Sequence, residues 1–452
     1  MTDLRLSVPR AVNALGQGKA GMTRLFSITA RWDQQGDHHT PIASDDDGNC
    51  YYAVMSGSNV IEVGKWTQAT GQISTTTLTP TETGTDANHH NCSIFIDTSG
   101  YLHVIAPCHN TDFEWWTADV AQSVSGGFTL RSSVDHPWTG QTNASHKHIT
   151  YPWCFYDNNL NPWLSMRVRV AATSWLPGTQ GAGLSRYNTS TDDWNNIGGN
   201  TNSAFTGITG TPEPKPQVFW WTTESTASDS GYNSYYTKPF YDQNGRLHWA
   251  ATLCRQGTND NSWNRDQHYL YSDDDGVTWR FADGTSVSSD PVVLDNYGSL
   301  DSRYWINDAG NGNNHIYGSN FPACTGDGRT VVGYSRRAVS SGSGTSHIAI
   351  WENGSWNETD LGIDEFPTRL VITNNNIWML VGADIRVSTD EGASWSTQSS
   401  GYSGSDASAW IDTRHFKRTN RVRFCANPNA GAGTKTIEVI EYIPTGWAPP
   451  SY

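Results

Sequence analysis

Two histidines, two tyrosines and two arginines stand at matched distances from three turn signals. Around Gly100 the pair is His90 and His109; around Asn159 it is Tyr151 and Arg167; around Gly245 it is Tyr235 and Arg255. His38 and His39 precede Gly48 in the same way. Residues equally far before and after a hairpin turn emerge side by side, so neighbouring hairpins would bring these side chains to one mouth. Such a set suits lytic cleavage beside a uronic acid, which removes the proton at C5 and expels the oxygen on C4. The C5 proton is weakly acidic until the adjacent carboxylate is neutralised, and arginine or protonated histidine can do that as charge builds. A base must take the proton, and a tyrosine or histidine must protonate the leaving oxygen. Hydrolysis would instead use two carboxylates about 5–9.5 Å apart, and no comparable carboxylate pair stands at these positions. His90, His109, Tyr151 and Arg167 are therefore the candidate catalytic residues, and Tyr235, Arg255 and Lys147 candidate substrate-binding residues.

The elements that must position them are strands. The 452 residues include 43 Gly and 19 Pro, spread along the chain, with 21 Trp, 19 Tyr and 13 Phe. That is too aromatic for disorder, and the punctuation points to many turns. Runs of Ala, Leu, Glu and Lys are absent, and no stretch approaches the 18 apolar residues of a membrane helix. The formal charge of −15 argues against a nucleic-acid partner, which needs a basic face. One unit recurs: an apolar strand, a turn of Asp, Asn or Gly, then a second strand. Its turns fall at Asp47-Gly48, Ser99-Gly100, Asn158-Asn159, Asn244-Gly245, Asp327-Gly328, Asn375-Asn376 and Thr419-Asn420. Propeller blades need about 40–50 residues, and the two widest gaps, 159–245 and 245–328, leave room for insertions. The expected fold is all-β: a seven-bladed β-propeller, one domain over residues 1–452. Strand residues near Leu25–Ala30 should pair with Thr436–Tyr442 to close it and remove the exposed edges.

The other chemistry-bearing residues have plainer readings. The seven cysteines are scattered and do not form a disulfide framework; Cys92 and Cys108 could face each other across a hairpin, as a disulfide or as two buried thiols. His103, His248, His268, His315 and His347 read as hydrogen-bonded or surface histidines. His248, Cys254, His268 and Cys324 could meet at a structural zinc site, without supporting C-x-x-C or H-E-x-x-H spacing, and the Asp-rich loops could take calcium. Neither metal is required by the proposed chemistry, nor is any other cofactor. Trp115 and Trp116 could stack on sugars. Ser272-Asp273-Asp274-Asp275-Gly276-Val277-Thr278-Trp279 and Ser388-Thr389-Asp390-Glu391-Gly392-Ala393-Ser394-Trp395 resemble the Asp boxes of sialidase-type propellers. There the Asp caps a tight hairpin, Gly takes a positive φ and Trp packs beneath.

The run from His90-Asn91-Cys92 through Asp97, Gly100-Tyr101-Leu102-His103-Val104 to His109 resembles BNR-repeat propeller lyases. That group includes the ulvan lyases and a lyase that removes rhamnose from glucuronate. Thr150-Tyr151-Pro152 followed by Arg167, and Gly245-Arg246-Leu247-His248-Trp249 with Arg255, resemble its next segments. The likeness covers roughly residues 37–280. It implies a seven-bladed fold and β-elimination next to a uronic acid, with His and Tyr exchanging protons and Arg or His binding the carboxylate. The spacing to Asp97 makes His89 an alternative to His90, and Met166-Arg167-Val168-Arg169 makes Arg169 an alternative to Arg167. The expected partner is an acidic polysaccharide, the expected state a monomer, with no membrane and no nucleic acid involved. An extracellular location is expected, although Met1–Ala11 lacks the pattern of a signal peptide. Two other functions compete. A sialidase-like hydrolase would carry an early Arg-Ile-Pro motif, which is absent; a non-catalytic carbohydrate-binding propeller would fold the same way and cleave nothing.

Overall fold

The computed structural model of the protein describes residues 21–32, 39–57, 59–81, 92–106, 109–111, 113–131, 148–169, 180–196, 217–219, 232–235, 238–255, 264–287, 305–308, 314–325, 327–338, 344–362, 367–373, 376–381, 384–390, 392–398, 409–426 and 433–444. The fold is all-β. Among the described residues the strands form seven separate antiparallel sheets, and the one helix, Thr413–Thr419, is short.

The first sheet holds Ile42–Ser44, Cys50–Gly57, Val60–Trp66 and Ile73–Leu78; the second holds Ser93–Ile96, Leu102–Ile105, Trp115–Ala118 and Phe128–Arg131. In the third, His109–Thr111, His148–Tyr156, Pro162–Arg169, Gln180–Asn188 and Asp193–Asn196 follow in order, with Gln217–Phe219 against Gln180–Asn188. The fourth begins with two short pieces, Tyr232–Tyr235 and Phe240–Tyr241, both on Leu247–Arg255, and continues with Asn264–Ser272 and Trp305–Asp308. The fifth runs from Asn314–Cys324 to Ser355–Asp360 and the sixth from Pro367–Thr373 to Ser396–Gln398. The seventh takes Ala409–Ile411, Val422–Ala426 and Gly433–Ile443 from the end of the chain and Gly21–Trp32 from its start. Ile28 stands opposite Ile437 and Phe26 opposite Val439, the pairing expected from the sequence.

Apolar side chains fill the space between successive sheets. Ala43, Tyr51 and Val63 of the first meet Ile94 and Leu102 of the second, and Phe95 and Trp115 meet Cys154 and Leu164 of the third. Trp153 and Phe155 meet Tyr241 and Trp249 of the fourth, and Tyr269 meets Val332 and Tyr334 of the fifth. Ile348 meets Ile377 and Met379 of the sixth, and Ile385 meets Phe424 and Ile440 of the seventh. Phe26, Ile28 and Val439 then pack on Tyr52 and Trp66 of the first. Sheets buried on both faces read as apolar runs rather than strict alternation, which is why the strand pattern in the sequence was plain.

The turns of the inner hairpins share one device. Asp97 Oδ1 accepts from the N–H groups of Ser99 and Tyr101 at 2.9 Å, and Asp242 Oδ1 from those of Asn244 and Arg246 at 2.8 and 2.9 Å. Asp45 and Asp157 do the same in their turns. The left-handed position is Gly48, Gly100 or Gly245, but Leu160 in the third sheet, at φ +61°. The seventh hairpin departs from the expected Thr419-Asn420 turn. Asp412 caps the helix Thr413–Thr419 by accepting from His415 N–H at 2.9 Å, and Asn420 ends it at φ +53°. A capping Asp followed by a left-handed Asn bounds a helix as readily as a turn.

Candidate active site

Thr150 is the backbone centre of the site. It pairs with Arg167 on one side and with His109 on the other, so three adjacent strands place His109, Thr150 and Arg167 on one rung, each about 5 Å from the next. His109 therefore leaves the Gly100 hairpin and joins the next sheet. Arg169 lies two residues along, opposite His148. Tyr151 follows Thr150 at a register shift and has φ +58°. Such a backbone costs a bulky residue of order 1–3 kcal/mol and persists only where the surroundings hold it. The bulge also explains why Arg167 opposes Thr150 rather than Tyr151. In the fourth sheet Tyr235 pairs with Thr252, and Arg255 with Tyr232. The turn there is centred earlier than Gly245, so Tyr235 and Arg255 lie three residues apart along the ladder. His89, His90, Lys147 and Cys108 lie outside the described residues.

Residues at the edges of the first and second sheets contact the strand segment around Tyr151. His39 is fully buried and sets its ring edge-on to the tyrosine, 6.3 Å between centroids at 83°. Thr40 N–H donates to Ser93 Oγ at 3.0 Å, the Ser93 hydroxyl donates to the carbonyl of Pro152, and Cys154 N–H donates to Thr40 Oγ1 at 3.1 Å. Lys238, also buried, holds its ammonium 5.6 Å from the centroid of the Trp153 ring, a cation–π contact. Thr40, Ser93 and Lys238 were not singled out by the sequence reading, because ordinary residue types at strand ends carry no motif. His39 was visible through its distance from Gly48.

The opposite end of the inner strands is closed by the helix. Lys417 donates to Asn158 Oδ1 at 2.7 Å and to the Tyr241 carbonyl at 2.8 Å. Arg414 donates to the Ser44 carbonyl at 2.6 Å, and Arg418 to that of Asp45 at 2.6 Å. Glu441 accepts from Arg423 at 2.7 Å and lies 2.9 Å from His415 Nε2. Burial alone would raise the Glu441 carboxyl, but His415 and Arg423 hold it well below the usual range.

Several expected residues are structural. His103 Nε2 faces Asp97 at 3.3 Å while its Nδ1 accepts from Trp115 Nε1 at 3.2 Å; His347 Nδ1 faces Glu358 at 2.8 Å. Burial pushes His268 down to about 3. His248 lies between Asp242 at 3.1 Å and the Tyr269 hydroxyl at 2.7 Å. Asp242, His248 and Cys324 offer ligand atoms within 4.8 Å of one another, so two members of the suggested zinc set do meet. The His248–Asp242 contact repeats the His103–Asp97 contact, six residues apart each time, and so reads as part of the hairpin device. Cys92 is buried, and its suggested partner Cys108 lies outside the described residues. Trp115 and Trp116 are buried, Trp115 under Arg131, and neither can stack on a sugar from solvent. In the two Ser-x-Asp hairpins, Asp274 and Asp390 accept from Thr278 and Ser394 N–H at 2.7 and 2.8 Å, and Trp279 and Trp395 return to the glycine carbonyls. No helix among the described residues is long and apolar enough to cross a membrane.

The profile of the BNR repeat-containing family matches residues 49–362, and the chain belongs to that family. No curated protein matches the sequence. Among solved structures, the polysaccharide lyase Uly1 is similar at 14% identity and a TM-score of 0.63, over 89% of this chain and 90% of that one. A PL25 ulvan lyase bound to -[GlcA(1-4)Rha3S]- is similar at 11% identity and a TM-score of 0.62, over 92% of this chain and 95% of that one. At these identities the likeness is one of fold.

Proposed function

We propose that the protein is a polysaccharide lyase on a single-domain, seven-bladed β-propeller, extracellular and monomeric. It cleaves an acidic polysaccharide at C4 of a uronic acid, the rhamnose–uronate linkage being the favoured class. The observation that carries this reading is the rung His109–Thr150–Arg167 beside the strained Tyr151. Seven sheets, each packed on the next and joined through Gly21–Trp32, support the propeller. The fold shared with lyases, one of them bound to a glucuronate–rhamnose unit, supports the substrate class.

In this mechanism Arg167 neutralises the uronate carboxylate as the C5–H bond breaks. His109 and Tyr151 exchange the protons: one takes the proton from C5 and the other gives one to O4 as the C4–O bond breaks. A C4=C5 double bond and a free hydroxyl result. His90, with His89 as its alternative, is a further candidate for proton transfer, and Arg169, Tyr235, Arg255 and Lys147 are candidates for binding the substrate. The protein carries a net charge of −15, so its cleft must be locally basic to draw a polyanion. No cofactor enters the scheme.

A panel of ulvan, gum arabic, glucuronan, alginate and pectin tests it. The ultraviolet absorbance of an unsaturated uronate should grow with one of them. A hydrolase would release reducing ends without that absorbance, and a binding module would retard a polymer in affinity electrophoresis and cleave none.

A further inference from the structure

We infer that Ser93, through the carbonyl of Pro152, and His39, through its ring, are positioning residues that hold Tyr151 in its working orientation. The inference rests on the lyase reading for its kinetic consequence, but its structural part stands alone.

Regular pairing would set Tyr151 opposite Arg167, continuing the register of Trp153 with Ser165. The observed bulge abolishes that pairing and turns Tyr151 to φ +58°. A bulge re-aims the side chain it carries, and it relaxes unless something outside the strand holds it. Pro152 has no N–H, so the ladder cannot grip the bulge by a donor there; the handle left is its carbonyl. Ser93 takes that handle from the second sheet while its oxygen accepts from Thr40 N–H at 3.0 Å. Thr40 extends from the first sheet, and its own hydroxyl oxygen accepts from Cys154 N–H at 3.1 Å, on the far side of the bulge. Its carbonyl accepts from Ile94 N–H at 2.8 Å. Ser93 and Thr40 are buried, so neither can reach a polymer; they act through Tyr151. His39, adjacent to Thr40, braces the ring itself. Two sheets thus fix the backbone and the ring of a residue on a third.

The test compares Ser93→Ala, Ser93→Thr and His39→Ala with Thr330→Ala, which removes a buried hydroxyl from the fifth sheet. Tyrosine ring NMR, with Tyr151 assigned through Tyr151→Phe, reads orientation without substrate. The Tyr151 resonance should move in Ser93→Ala and His39→Ala, stay in Thr330→Ala, and return in Ser93→Thr. On the identified substrate, kcat should fall about 10²-fold, as for a misplaced catalytic group, with KM little changed. If Ser93→Ala does not fold, Ser93→Cys and Thr40→Val, which removes the hydroxyl that accepts from Cys154 N–H, carry the same comparison. An unmoved Tyr151 resonance in all folded variants at both positions overturns the inference. Wild-type protein that cleaves no uronate polymer overturns the lyase reading and leaves the NMR result to decide positioning.

Discussion

The inner strands bury polar side chains at both ends, and the two ends are built differently. At the turn end, charge is matched to charge or to carbonyl: Glu441 with Arg423 and His415, Arg414 with Ser44 and Asp46, Lys417 with Asn158 and Tyr241. At the other end a tyrosine of these strands takes a left-handed conformation and a histidine stands on its ring edge. The turn end spends its polar groups on joining sheets. The Tyr151 end keeps acid–base side chains together and holds one of them away from its relaxed backbone. Buried polarity alone does not mark a candidate site; what distinguishes the Tyr151 end is a strained residue in a bulge beside the rung that carries His109 and Arg167.

The largest expected effect breaks the turn end. Glu441→Ala strips Arg423, which is 1% exposed, of its carboxylate partner. Removing one member of a buried pair costs about 3–5 kcal/mol, read as a fall in the urea midpoint. A loss below about 1 kcal/mol would mean that water already screens the network. Lys417 gives the next effect. Burial lowers its ammonium to about 7, although Asp157 and Asp242 oppose the shift. An unfolded lysine keeps its proton to about 10.4, so between these values the unfolded chain binds more protons. Its contribution to stability therefore rises with pH from about 7 to 10, by up to roughly 1 kcal/mol per unit. Lys417→Met should flatten that slope in urea titrations run at several pH values; an unchanged slope places the cost elsewhere.

The other end should answer in turnover rather than stability. His109→Ala is expected to lower kcat by about 10²-fold or more, the scale of a positioned acid or base, with an unchanged melting temperature. Arg167→Lys keeps the charge but loses the planar two-point grip on a carboxylate, so kcat should fall there as well. Near-normal turnover in both Arg167→Lys and Arg167→Ala would hand the neutralising role to Arg169 or Arg255.

Much of this contrast was legible in the sequence, for physical reasons. Hairpins announced themselves because apolar strands and Asp/Gly turns alternate, and the closing pair of strands followed from the need to cover edges. Hairpin symmetry, which is simple arithmetic, set Tyr151 against Arg167 and missed the ladder partner of Arg167 by one position. That arithmetic fails wherever a residue is inserted: at the Tyr151 bulge, at the displaced turn of the fourth sheet and where His109 crosses to its neighbour. The helix Thr413–Thr419 was missed because its residues lack an apolar stripe; basic side chains packed against three other turns bury it instead. Ser93 and Thr40 matter through tertiary contacts alone, and no local pattern encodes those.

The smallest effect sharpens the comparison most, since it asks whether strain alone could define the site. Leu160 and Tyr151 have nearly the same backbone, φ +61° and +58°, nine residues apart in one sheet. Leu160 occupies a slot that Gly48, Gly100 and Gly245 fill in sister turns, so glycine fits there without rearrangement. Relief of the left-handed cost of about 1–2 kcal/mol is offset by the greater freedom of glycine in the unfolded chain, about 0.4–1 kcal/mol, and by lost contacts of a half-buried side chain. Leu160→Gly should therefore raise stability by at most about 1 kcal/mol and leave turnover alone. Tyr151→Gly relieves the same strain and should abolish turnover, because the phenol goes with it. Tyr151→Phe separates the two, keeping the ring and the strain while removing the proton. If Leu160→Gly lowers kcat as Tyr151→Phe does, the turn end is coupled to the chemistry, and the division between the two ends fails.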